Sequence, residues 1–164
     1  MGPPRWLSSE EKRAWTAFRT TYALLHQRID QQLKRDAGLS HLQYEILVRL
    51  GAAPDRELRM AELACAVSNS KSGLTYQIGQ LEHAGLVRRR ACESDVRAVY
   101  AVLTDEGQAL LEQAAPGHVA LVRELLVDVL TPDQLSALAD GLGEANRRML
   151  ADDDSGLAPA PHSP

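Results

Sequence analysis

The chain has 164 residues, 45% of them hydrophobic, with 18 Lys and Arg against 22 Asp and Glu, a formal net charge of −4. That length and apolar content suit one domain or a compact fused pair with an ample core. No stretch reaches the roughly 18 apolar residues of a membrane span, and Met1 to Arg5, with two prolines and no apolar run, is not a secretory signal. The expectation is a cytoplasmic protein without membrane contact, and the two cysteines are consistent with a reducing compartment.

Residues 1–7 read as an N-terminal extension. Ser8 and Glu11 then have capping-box spacing, and Trp15, Phe18, Tyr22, Leu25, Ile29 and Leu33 recur at threes and fours, one apolar stripe on a long helix ending near residue 36. Ser40 and Gln43 repeat the capping signal ahead of a helix to Leu50. Met60 to Val67 reads as a short helix with Leu63, Ala64 and Val67 on one buried face and Cys65 as a small buried hydrophobe. Ser68-Asn69-Ser70 is a turn, with Ser70 as the N-cap of a second helix.

In that second helix Leu74, Ile78 and Leu81 point inward, which leaves Lys71, Ser72, Thr75, Tyr76 and Gln77 on the other faces of its N-terminal half. Gly85 supplies a left-handed stop. Leu86 to Arg90 and Val99 to Leu103 form a β-hairpin joined by the polar connection Ala91 to Ala98, with Arg88, Arg89, Arg90 and Arg97 on its strands and tip. Thr104 opens a long helix that Pro116-Gly117 should kink or divide. Thr131-Pro132-Asp133-Gln134 restarts the helical pattern, and residues 151–164, rich in Asp, Ala, Pro and Ser, read as a disordered tail.

Helix, turn, helix and basic hairpin in this order describe a winged helix-turn-helix. The fold expected is mainly α with a small β-hairpin wing: a reading domain over 40–103 flanked by helices at 8–36 and 104–150, whose surplus apolar surface suits either pairing between protomers or an ordinary intramolecular core; the dimerisation role is what the resemblance below implies. Small polar side chains at the start of a helix can enter the DNA major groove, and an arginine on a hairpin tip can reach the neighbouring minor groove or backbone.

These residues resemble the MarR-type winged-helix transcriptional regulators. The marks are Ser70, Ser72, Leu74 and Thr75, followed by Leu81, Glu82, Gly85, Leu86, Val87 and Arg89, and the wing signature Asp95, Arg97, Leu103, Thr104 and Gly107. The resemblance extends from about Ser8 to Met149. It implies a homodimer that binds double-stranded DNA to repress or activate promoters and is tuned by a small ligand or by oxidation. Position by position, it puts Ser70, Lys71, Ser72, Thr75, Tyr76 and Gln77 on the recognition helix, and Arg97 in the minor groove with Asp95 steadying it. Many relatives place an arginine after the threonine, whereas here Tyr76, Gln77 and Gln80 are neutral, so phosphate attraction falls to Arg88, Arg89, Arg90 and Arg97.

The resemblance also places an effector between the dimerising helices and the reader. Trp15, Phe18, Tyr22, His26, Tyr44 and Val48 are then candidates to hold a small aromatic or phenolic compound, with core packing as the other role open to them. Cys92, beside Arg88 to Arg90, is a candidate redox site because positive charge favours thiolate; the cysteine near the start of the first helix in peroxide-sensing relatives has no counterpart here. The five histidines lack metal-ligand spacing, and no glycine-rich phosphate loop, nucleophile elbow or paired carboxylates occur, so neither a metal, a cofactor nor catalysis is expected.

The negative net charge conflicts with DNA binding only until it is located. Residues 56 to 100 hold seven Lys and Arg and five Asp and Glu, a local +2, and the remainder carries −6. The sequence reading is a sequence-specific regulator, a repressor on a pseudo-palindromic operator. A winged-helix module that binds protein and a regulator switched through Cys92 are the alternatives.

Overall fold

The computed structural model describes residues 4–67, 70–91 and 98–156, the side chains of Lys71 and of residues 152–156 excepted. The chain divides into two units, residues 1–122 and 123–164.

In the first unit, α1 (Ser9–Ala37) begins at a complete capping box: the Ser8 hydroxyl accepts from the Glu11 N–H, and the Glu11 carboxylate accepts from the Ser8 N–H. It stops at Gly38, whose φ of 68° supplies the left-handed conformation that closes a helix. α2 (His41–Ala52) starts at the same device, built from Ser40 and Gln43. A single 3-10 turn at Pro54–Arg56 follows, in which Asp55 and Arg56 both have positive φ. Two successive non-glycine residues in that region store strain, and an Arg56–Asp105 ion pair of 2.9 Å holds the turn.

Then come β1 (Glu57–Arg59), α3 (Met60–Ala66), α4 (Lys71–His83), β2 (Val87–Ala91), β3 (Val99–Leu103) and α5 (Asp105–Val122). The strands form an antiparallel sheet in the order β1-β3-β2, so the hairpin expected from sequence carries a third strand on its outer edge. Alternation sorts the sheet into two faces. Leu58, Ala101, Leu103 and Val87 turn inward, and Ala101, Leu103 and Val87 join Leu47, Leu50, Leu63, Leu74, Ile78 and Leu81 in one core. The outer face carries Glu57, Arg59, Arg88, Arg90, Tyr100 and Val102.

Two expectations are corrected in this part of the chain, and one is extended. Cys65 is exposed: α3 buries Leu63 and Ala64, and two residues beyond Leu63 is about 200° around a helix, the opposite side. α5 is not divided at Pro116. The exposed proline leaves the carbonyl of exposed Glu112 without its helical donor but facing solvent. At its neighbour Gly117 a Cβ would lie 3.0 Å from Gln32 Nε2, so the dipeptide marks the close approach of α5 to α1. The expected hairpin forms and is extended by β1, which at three residues is too short to show a period in sequence.

In the second unit the helical path widens to a π turn at Arg123–Val127, and α6 (Pro132–Gly156) begins at a third capping box, Thr131 with Gln134. α6 runs six residues into the segment expected to be a tail. The first proline beyond it is Pro159, so no helix breaker intervenes before Gly156. Val129, Leu142, Met149 and Leu150 are exposed apolar residues of this unit.

Gly107 sits where no side chain fits. A Cβ there would lie 2.2 Å from the Leu86 carbonyl oxygen and 2.7 Å from Leu103 Cδ1. Gly107→Ala is therefore expected to destabilise the protein by about 2–3 kcal/mol through overpacking, read as a lowered midpoint in urea unfolding; an unchanged midpoint refutes the assignment.

Candidate nucleic-acid interface

The turn into α4 is closed by Ser70, whose hydroxyl accepts from the Gly73 N–H at 3.1 Å and lies 3.3 Å from the Ser72 hydroxyl. Ser70 is thus a cap, and Ser72, Thr75 and Tyr76 present the exposed polar surface of the first two turns, with Tyr76 at 64% exposure. Gln77 is half-buried, and the side chain of Lys71 lies outside the described residues. Leu74, Ile78 and Leu81 are at most 1% exposed, which fixes the rotation of α4 and so decides which side chains face outward.

The three consecutive arginines of β2 do three different things. Arg88 is exposed on the outer sheet face. Arg89, on the opposite face, turns toward α4: its guanidinium donates to the Thr75 carbonyl at 3.1 Å and pairs with Glu82 at 3.1 Å, while its backbone N–H also donates to Glu82. Arg90 reaches across the central strand and grips Glu57 of β1 through Nε, at 3.1 Å, and a terminal nitrogen. Its guanidinium lies 4.7 Å from the centre of the Tyr100 ring, and the Tyr100 hydroxyl accepts from Arg59 Nε at 2.9 Å. The bond from Arg90 holds the Glu57 carboxyl below its ordinary pKa. Asp95, Arg97 and Cys92, the expected wing tip and redox site, lie outside the described residues.

Sequence reasoning missed Glu57, Arg59, Glu82 and Tyr100. Glu82 was visible only as part of a motif. The other three meet through cross-strand register, Arg59 opposite Tyr100 and Tyr100 opposite Arg90, which no local pattern encodes.

The candidate effector residues lie along a line of rings. Trp15, Phe18, Tyr22 and His26 follow one another on α1 at centroid separations of 6.2, 6.4 and 5.9 Å. The line continues from His26 to His41 of α2 at 4.9 Å, from His41 to His118 of α5 at 6.4 Å, and from His118 to the buried Tyr44 at 4.7 Å. A cavity of 260 Å³ opens beside it, lined by Tyr22, His26, His41, Leu42, Glu45, Ala66 and Val67. Of the six candidates Tyr22 and His26 line this cavity. Tyr44 does not line it and is buried against His118, Val48 packs on the core, and Trp15 and Phe18 stand exposed further along α1. Burial pushes the pKa of both His41 and His118 down, with the neighbouring His26 adding to the effect on His41. The Nδ1 atom of His118 is buried without a hydrogen-bond partner among the described residues.

The sequence pattern of the MarR family matches residues 39–99, the segment from the start of α2 into β3. Over nearly its whole length the chain is similar to Sco3205, a MarR family transcriptional regulator from Streptomyces coelicolor solved in complex with DNA: 42% identity, 96% of this chain and 94% of that one covered, TM-score 0.83. The chain belongs to the MarR family. AbsC, a MarR family transcriptional regulator from the same organism, is similar at 38% identity over 90% of this chain and 99% of its own, with a TM-score of 0.85. The HTH-type transcriptional repressor YetL of Bacillus subtilis is 36% identical over 89 residues, 54% of this chain and 53% of YetL, so the similarity spans about half the length of that repressor. This MarR family protein keeps the winged-helix fold with its small three-stranded sheet, and none of its described helices is long and apolar enough to cross a membrane.

The histidines make stability depend on pH. His41 and His118 have folded pKa values below the ordinary 6.5, so the unfolded chain binds protons first. Their contribution is fully present above pH 6.5 and is lost as pH falls through the depressed values. Asp30, Asp36, Glu57 and Glu144, held low by partners, lose theirs in a separate window below about pH 4. Thermal melts from pH 7.5 to 5 are expected to show a falling midpoint that His41→Gln/His118→Gln flattens; parallel curves for the two proteins contradict the assignment.

Proposed function

We propose that this MarR family protein is a sequence-specific DNA-binding transcriptional regulator, a repressor that grips a pseudo-palindromic operator as a homodimer. The observation that carries the reading is the outward row of Ser72, Thr75 and Tyr76 on a helix whose rotation is fixed by its buried face. The 42% identity to a regulator solved in complex with DNA supports it. Lys71, Ser72, Thr75, Tyr76 and Gln77 read the major groove, Arg88 contacts phosphate, and Arg97 steadied by Asp95 enters the minor groove. Ser70, Arg89 and Arg90 brace the reader. No catalytic step is assigned.

Exposed apolar surface on the single chain supports the dimer. Trp6, Trp15, Phe18, Tyr22 and Leu24 are exposed in the first unit, and Val129, Leu142, Met149 and Leu150 in the second; exposed apolar surface of this extent marks an interface. A twofold dimer sets half-sites about 10 base pairs apart on one DNA face. A small aromatic or phenolic effector seats in the 260 Å³ cavity beside Tyr22, His26 and His41 and lowers DNA affinity by binding the DNA-incompetent form better.

Fluorescence anisotropy of the protein on DNA from upstream of its own gene, against a scrambled duplex across a salt series, tests the reading. Thr75→Ala and Tyr76→Ala are expected to reduce discrimination between the duplexes by about 0.5–1.5 kcal/mol for each base-edge hydrogen bond removed. Arg97→Ala is expected to weaken binding to both and to lower the salt slope by about one. Equal affinity of the wild type for both duplexes on every promoter tried refutes sequence specificity.

A further inference from the structure

The net charge of this protein is negative, and its richest run of cations, Arg88 to Arg90, is not what it looks like in sequence. Two of the three arginines already have carboxylates. The pairing of Arg90 is the more telling, because Glu57 comes from a different strand, two places across the sheet. Neighbouring strands are about 4.8 Å apart, so the Arg90 side chain must lie over the central strand to reach β1. It does so across the face of Tyr100, whose ring centre lies 4.7 Å from the guanidinium and whose hydroxyl accepts from Arg59. The result is a two-pronged bond with the Arg90 and Glu57 side chains only 38% and 23% exposed. Arg88, one place back on the same face, is left exposed.

We infer that Glu57 sets the level of sequence-independent DNA binding: it masks Arg90 from phosphate and so weakens the hold of the wing strand on DNA of any sequence. Non-specific affinity comes almost entirely from cations that displace counterions from phosphate, each neutralised phosphate adding about 0.9 to the salt slope. A guanidinium already satisfied by a carboxylate releases no counterion. Masking one such group per protomer lowers affinity for every sequence alike and leaves base contacts made by α4 untouched, so background binding falls while the ratio of specific to non-specific affinity is unchanged. The inference rests on the DNA-binding reading above, and it goes further by assigning an acidic side chain, on a strand that carries no base-reading residue, the task of lowering background binding.

The test is a mutant cycle read by anisotropy on a scrambled duplex and on the native upstream DNA, across a salt series. Glu57→Gln is expected to tighten binding to the scrambled duplex about three- to tenfold per dimer at low salt and to steepen its salt slope by one to two. Binding to the native DNA is expected to tighten by the same factor, so both affinities rise while their ratio is unchanged. Glu57→Asp keeps the charge but is one methylene too short for the two-pronged bond, and it is expected to move the same way. That result separates masking by direct pairing from a mere change in net charge. Arg90→Gln alone is expected to change little, and in its background Glu57→Gln is expected to have no effect. Thermal melts accompany each variant, and the Asp and Arg90→Gln variants carry the test if Glu57→Gln unfolds.

Equal tightening from Glu57→Gln with and without Arg90 overturns the inference, as does an unchanged salt slope in both Glu57 variants. Wild-type protein that binds the native DNA while the cycle is flat leaves the DNA-binding reading standing and removes only this one. Wild-type binding to neither duplex overturns both.

Discussion

The Thr104 hydroxyl joins the end of the recognition helix, the root of the wing and the start of α5. It donates to the Gly85 carbonyl at 2.7 Å and accepts from the Gly107 N–H at 3.0 Å, while the Thr104 N–H donates to the Leu86 carbonyl at 3.1 Å. Gly85, with φ of 75°, turns the chain from α4 into β2, so its carbonyl points at Thr104 only because that residue can adopt a left-handed conformation. Each of these neutral bonds contributes about 1 kcal/mol net. Their value is geometric: together with the absence of a Cβ at Gly107 they leave α5 one way to leave the sheet. The angle between the reading helix and the helix that packs on α1 is thereby set within a few residues.

Charge in this molecule is arranged by pairing more than by total. The outer sheet face holds four arginine-bearing or acidic positions around Tyr100, and on the inner side Arg89 ties the wing strand to α4 through Glu82 and the Thr75 carbonyl. The latter bond bears on the reader directly, because the carbonyl belongs to a residue whose side chain faces outward. The wing strand and the backbone of α4 beside Thr75 are thus joined directly. The pairs are partly exposed, and isolated exposed pairs contribute little to stability. What they fix is position: a guanidinium with two partners has few orientations left.

Most of the fold could be read from sequence where its cause is local. The capping pairs Ser8 with Glu11, Ser40 with Gln43 and Thr131 with Gln134 each span three residues, and the structure forms all three. The inward row Leu74, Ile78 and Leu81 follows from helical period alone. What escaped were consequences of elements meeting. β1 has no pattern of its own and exists because β3 offers it a free edge. The even-looking run Arg88 to Arg90 divides because alternate residues of a strand face opposite ways, and because Glu57 and Glu82 wait on the two sides. Pro116 reads as a breaker only if its surroundings are ignored. The site was legible to the same degree: α4 supplied its outward residues, while the cavity takes Ala66 and Val67 from α3 and His41 from α2, a set that no spacing connects.

That cavity has a consequence for how a regulator of this build could respond. Ala66 and Val67 end α3 and lead, three residues later, to the Ser70 cap of the recognition helix. The opposite wall is α1, which carries the exposed aromatic rings on the surface assigned to the partner protomer. Under the proposed function, a ligand in between touches both the segment that leads into the recognition helix and the helix whose exposed rings face the partner. Under the proposed function its effect equals its differential affinity for the two arrangements, and tenfold weaker DNA binding requires about 1.4 kcal/mol of coupling. That is the net worth of roughly one hydrogen bond. At 260 Å³ the cavity lies just below the usual range for small-molecule sites, about 300–1,000 Å³, which suits a compound of a single ring. A single ring making one contact to Glu45 or His41 in one arrangement and not the other is sufficient, so a large conformational change is not required to make this fold responsive.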